Sequence, residues 1–114
     1  MNHISHFSHA KQWEENAFKG FMELLNEADI TQVQVFSDVL ATAVHHSYIS
    51  KKEIALQFEV DLSTVGRWVS GKSAPHKLVR PIICAYIREI AQKHVSITLN
   101  AKDMIQRELK AVNV

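Results

Sequence analysis

Helix start and stop signals crowd together between residues 50 and 75, SKKEIALQFEVDLSTVGRWVSGKSAP. Ser50 followed by Glu53 is a capping-box pattern, in which each side chain satisfies a backbone amide of the other residue. Asp61 stands where it can start a second helix by accepting from the Thr64 amide. Gly71 and then Pro75 mark its end. The signals leave about eight residues for each helix and about three for the turn, so the pair must cross at a steep angle. Such a crossing needs a small residue on the first helix where the second presses, and Ala55 supplies it. It also needs apolar residues pointing into the angle, and Ile54, Phe58, Val60, Val65 and Trp68 fall at those positions.

The rest of the chain is also written in helices, because only three glycines and two prolines interrupt 114 residues. Ser8 is placed to cap a helix reaching Glu27, with Trp13, Ala17, Phe21, Leu24 and Leu25 on one apolar face. Thr31 and Gln34 form another capping-box pattern, opening a helix over 32–46 that buries Val35, Phe36, Val39, Leu40 and Ala43. After Pro75 an apolar helix runs to about His94, with Val79, Ile82, Ile83, Tyr86 and Ile90 on one face and Pro81 either near its first turn or kinking it. Asn100 with Asp103 starts a terminal helix over 100–111. No segment alternates like a strand. The expected fold is all-α, a five- to six-helix bundle divided into an N-terminal extension (1–30), a central domain (31–95) and a C-terminal helix (96–114).

Residues 50–75 resemble the helix-turn-helix of the lambda-repressor-like, XRE-type family of DNA-binding proteins. The run S-T-V-G-R-W-V-S-G-K, followed by proline, is similar to that family's recognition helix and exit loop. A looser likeness extends over the helices 32–46, 51–58, 62–70, 77–94 and 100–111, while the first 27 residues have no place in it. One departure is Glu59, at a turn position where the family often has glycine in a left-handed conformation. A side chain there costs roughly 1 kcal/mol.

The resemblance implies that the helix over 62–70 docks in the major groove, as part of a lambda-repressor-like helix-turn-helix. Leu62, Ser63, Thr64, Gly66 and Arg67 then form the base-facing side. Arg67 can hold both acceptors of a guanine, although a phosphate contact or a solvated side chain are the alternatives. Ser63 can address several bases, Leu62 a thymine methyl, and Gly66 lets the helix come close. Lys51 and Lys52, with Lys72 and Lys77 about the exit loop, would meet phosphate and set register. The implied function is a prokaryotic or phage transcriptional regulator that reads a two-fold-related site in double-stranded DNA as a homodimer. Its half-sites would lie about 34 Å apart, one helical turn; a dimer is expected because one helix with two or three readers gives only a few kcal/mol of discrimination. The helices 9–27 and 100–111, which a minimal fold does not need together, are the candidate dimer surfaces.

Charge follows the same plan. Residues 1–49 set two lysines against six acidic residues (net −4), residues 50–80 six basic against three acidic (net +3), and the remainder is +2. The positive charge gathers where a phosphate-facing surface is required. The contrasting possibility is a protein-interaction module, with the acidic N-terminal half as its working surface. Catalysis has no nucleophile-and-base constellation, phosphate loop or zinc-ligand spacing behind it, and no cofactor or small-molecule ligand is implied. His3, His6 and His9 share a helical face but have no acidic or cysteine companion, so they are read as no metal site. His45 and His46 suit a helix C-terminus, and the single cysteine, Cys84, a buried inert place and a reducing compartment. No window is apolar for the length of a bilayer and no secretory pattern opens the chain, so the expected location is cytoplasmic.

Overall fold

The computed structural model describes residues 3–112, with side chains described for residues 12–110. It consists of α1 (His3–Glu27), α2 (Val33–His45), α3 (Lys51–Phe58), α4 (Leu62–Ser70) and α5 (Arg80–Val112), and among the described residues no strand occurs. The fold is all-α. None of its described helices is long and apolar enough to cross a membrane.

Helix α4 packs on both α2 and α3, while α1 and α5 pack on each other and each on α2. Their meeting faces form one core. Phe36, Val39, Leu40 and Ala43 come from α2, Ile54 and Ala55 from α3, and Val65 and Trp68 from α4. Phe21 of α1 and Ile83, Cys84, Ile87, Ala91 and Val95 of α5 close it. Each wholly buried Ile or Leu contributes roughly 1.5–3 kcal/mol, so α3 and α4, too short to persist alone, are held by what they bury.

Three consecutive helix ends close in the same way. The amides of Tyr48, Val60 and Lys72 donate to the carbonyls of Ala43, Ala55 and Arg67 at 3.0, 3.1 and 3.0 Å. The residue before each donor is left-handed: Ser47 at φ 58°, Glu59 at 54° and Gly71 at 78°. This wrap reverses the chain within two residues, and it sets the α2–α3 and α3–α4 corners.

Several expectations are corrected. The Thr31–Gln34 capping box does not form. Asp29 takes the Thr31 amide and hydroxyl and the Gln32 side chain, and Gln34 turns to Asp38 at 2.9 Å. Those donors hold the Asp29 carboxyl below its ordinary value, the Thr31 hydroxyl foremost. Ser8 starts no helix, since α1 already begins at His3. Nor does Asn100. Helix α5 runs unbroken for 33 residues, and the Thr98 hydroxyl bonds back to the His94 carbonyl at 2.9 Å within it. A capping pattern starts a helix only where the chain before it has left one. Trp13 is 74% exposed, two turns beyond Phe21, at the rim of a groove it shares with His46, Tyr48 and the α5 residues His94 and Thr98. Val79 and Ile82 are exposed as well. Val79 precedes the helix, and α5 is rotated so that Ile83, Cys84, Ile87, Ala91 and Val95 face inward. Pro81 is its second residue, where the missing amide costs nothing.

Because α1 and α5 outrun the core together, the molecule measures 58 × 26 × 19 Å. Its radius of gyration of 17.1 Å exceeds the roughly 13 Å of a compact domain this size.

Candidate nucleic-acid interface

Helix α4 is anchored on one side and free on the other. Val65 is wholly buried and Trp68 nearly so, and the Ser37 hydroxyl of α2 donates to the Val69 carbonyl at 2.8 Å. The Thr64 and Val65 amides donate to the Asp61 carbonyl at 3.0 and 3.2 Å. The Asp61 side chain makes no cap bond, contrary to expectation; the backbone has already taken the Thr64 amide, and the exposed carboxylate stays in water. At the far end Gly71 is required twice over. Its φ is 78°, and a Cβ there would lie 3.3 Å from the Ser37 hydroxyl oxygen.

The outward side of α4 carries Leu62, Ser63, Arg67 and Ser70, all exposed, with Thr64 and Gly66 half-buried between them. The Arg67 guanidinium donates to the Thr64 hydroxyl at 3.0 Å, which holds it along the helix surface. Gly66 has no reason for being glycine within the chain. Its conformation is helical, and a Cβ built there meets nothing within 4 Å. Glycine inside a helix costs about 1 kcal/mol relative to alanine.

Lys51, Lys52 and Glu53 of α3 and Leu62 of α4 line one groove, with Ser47 and Ser50 from the α2–α3 corner and His94 from α5. The Ser50–Glu53 capping box forms as the spacing predicts, with bonds of 3.0 and 3.3 Å, and leaves both lysines exposed on the first turn of α3. Lys72 and Lys77 are exposed on either side of the exit loop. His94 entered this surface unannounced, since nothing in its local sequence relates α5 to α3. Leu56, 71% exposed on α3, is a further apolar side chain that periodicity did not single out.

Arg80 does not belong to the basic surface. It is buried, its Nη1 donating to the carbonyls of Thr31 and Ile30 at 2.7 and 3.2 Å and its Nε to that of Pro75 at 2.9 Å. Its Cζ lies 6.0 Å from the Phe36 ring centroid. The positive charge that counts toward residues 50–80 is thereby spent on the α1–α2 corner, and the exposed basic residues of that stretch are Lys51, Lys52, Arg67, Lys72 and Lys77.

Comparison of the chain with known protein families, with curated proteins and with solved structures returned no match.

Cys84 is buried, which pushes its thiol up to about 11 against the pull of Arg88. His46 caps the end of α2, but its ring stacks on Tyr48 at 5.5 Å. Burial and the Glu14 carboxylate raise the Tyr48 hydroxyl. The side chains of His3, His6 and His9 lie outside the described residues.

Proposed function

We propose that this chain is a sequence-specific DNA-binding regulator that lays α4 into the major groove and reads a two-fold-related site as a homodimer. The reading rests on Gly66. Gly66 gives up about 1 kcal/mol of helix propensity with no described neighbour to require it, and it sits on the free side of α4, where a missing side chain lets a partner come close to the backbone. Ser63 and Arg67 stand beside it on the same exposed side, and a planar guanidinium is the side chain best suited to a guanine edge. Lys51, Lys52, Lys72 and Lys77 flank this side, as phosphate contacts must. The sequence resemblance of residues 50–75 to the helix-turn-helix of lambda-repressor-like proteins supports the same reading, because it sets residues 62–70 against that family's recognition helix.

The alternative is a protein partner, and one observation favours it: Leu56 and Leu62 are 71% and 55% exposed near the same surface. Selection of bound duplexes from a random pool at near-physiological salt separates the two. Enrichment of an inverted repeat, with Arg67→Ala costing about 1–3 kcal/mol and relaxing one position in each half-site, carries the DNA reading. Retention that is not sequence-selective and vanishes as salt rises defeats it.

A further inference from the structure

Among the described residues the last buried one of α5 is Val95, and the helix continues to Val112. Over this stretch α1 covers one side, with Glu14 paired to Lys102. On another side Lys93, Ile97, Ala101, Met104 and Glu108 follow one another at spacings of three and four, which puts them on a single helical face, with Asn100 at its edge. All are exposed, Ile97 by 69% and Met104 by 60%. Ile105 and Leu109, also exposed, flank the stripe, and Trp13 shares a groove with the neighbouring His94 and Thr98.

From this pattern we propose that the stripe is the seam of a two-fold antiparallel α5–α5 contact with a second copy of the chain. The inference rests on the homodimer of the proposed function and locates its surface. A two-fold axis between Asn100 and Ala101 sets residues whose numbers sum to 201 against each other. Ile97 then meets Met104 of the second copy, and Lys93 meets Glu108. The shorter side chains, Asn100 and Ala101, lie at the crossing, where two helices at 8–10 Å come closest. Every contact occurs twice by symmetry. A parallel pairing in register would instead set Lys93 against Lys93 and Glu108 against Glu108, so the charges choose the antiparallel sense. The contact Lys93 already makes, to Glu89 at 3.1 Å, is a pair more than 60% exposed at each end. Solvent screens such a pair, and Lys93 remains able to reach across.

Sedimentation equilibrium of the full chain at about 100 µM, where even a small interface is populated, tests the seam. The wild-type chain is expected to be dimeric and Met104→Asp monomeric. Lys93→Glu and Glu108→Lys should each weaken the dimer about tenfold, and the double reversal should restore it. A structural defect cannot produce that restoration. A monomeric wild type, or a double reversal no tighter than the singles, overturns the proposal. Binding to one half-site and to an inverted repeat is measured on the same proteins. If the dimer responds to charge reversal while no variant binds duplex DNA, the seam stands and the DNA reading falls. If half-sites are bound and the reversals leave the dimer intact, the DNA reading stands and the seam falls.

Discussion

The guanidinium of Arg80 donates to the carbonyl of Thr31 at 2.7 Å, joining the start of α5 to the α1–α2 corner across 49 residues of chain. Ile30 and Pro75 supply further carbonyls, and the Phe36 ring lies against the same group. Removing this buried side chain takes the donor from three part-buried carbonyls and opens a gap over Phe36. Arg80→Met is expected to destabilise the fold by about 2–4 kcal/mol, read from the midpoint of urea unfolding. Arg80→Lys should recover only part, because an ammonium cannot reach three divergent carbonyls as a fork does. A loss under about 0.5 kcal/mol for Arg80→Met would refute the clamp.

The left-handed residues at the three helix ends should respond in opposite senses. Glu59→Gly and Ser47→Gly keep the wrap and remove a strained Cβ, so each should stabilise the chain by about 0.5–1 kcal/mol. Gly71→Ala adds the strain at φ 78° and brings a Cβ to 3.3 Å from the Ser37 hydroxyl that anchors α4. It should cost about 1–3 kcal/mol. Chemical unfolding of the three variants checks this, and a neutral Gly71→Ala would contradict it.

What could be read from sequence here was what is decided locally. The Ser50–Glu53 box, the stop at Gly71 and the inward Ile54, Ala55, Val65 and Trp68 all follow from spacings of a few residues, while the left-handed Glu59 was legible only through the family resemblance. The outward set of α4 follows as their complement. What escaped depends on partners far away in the chain. Arg80 counted as surface charge because its acceptors are carbonyls, which carry no sequence signature. Ser47 lacks the glycine that would mark a left-handed residue. The continuity of α5 through Asn100 is set by α1 lying alongside, as the Glu14–Lys102 pair records. His94 reaches the Lys51–Lys52 groove only through the packing of α5 on the core.

Cys84 gives a prediction in pH. Its thiol titrates near 9 when exposed and is pushed up to about 11 in the fold by burial. Above pH 9 the unfolded chain therefore sheds a proton that the folded chain retains, and stability falls as pH rises from 9 toward 11. The full loss is about 2–3 kcal/mol. Cys84→Ala should flatten this part of the profile, at some cost in packing. The native protein should react slowly with a thiol reagent at pH 8, because the thiolate is scarce and the sulfur covered. Fast stoichiometric labelling without denaturant would count against the burial.

Gly66 and Gly20 form a matched pair that separates folding from recognition. Both are helical, and a Cβ at either meets nothing within 4 Å. Alanine at each should stabilise the free chain by about 0.5–1 kcal/mol, through helix propensity and a less varied unfolded state. Gly66 lies on the surface proposed to meet DNA, and Gly20, on α1, does not. Gly20→Ala should leave affinity for the selected duplex unchanged, whereas Gly66→Ala, though more stable, should bind more weakly by about 1–3 kcal/mol, since its methyl occupies the space the helix needs against the bases. Leu62 and Arg67 would be held away from the groove floor with it, so the loss should fall on the selected sequence more than on random DNA. Equal binding by both variants would remove the observation on which the DNA reading rests, because Gly66 would then be as idle as Gly20.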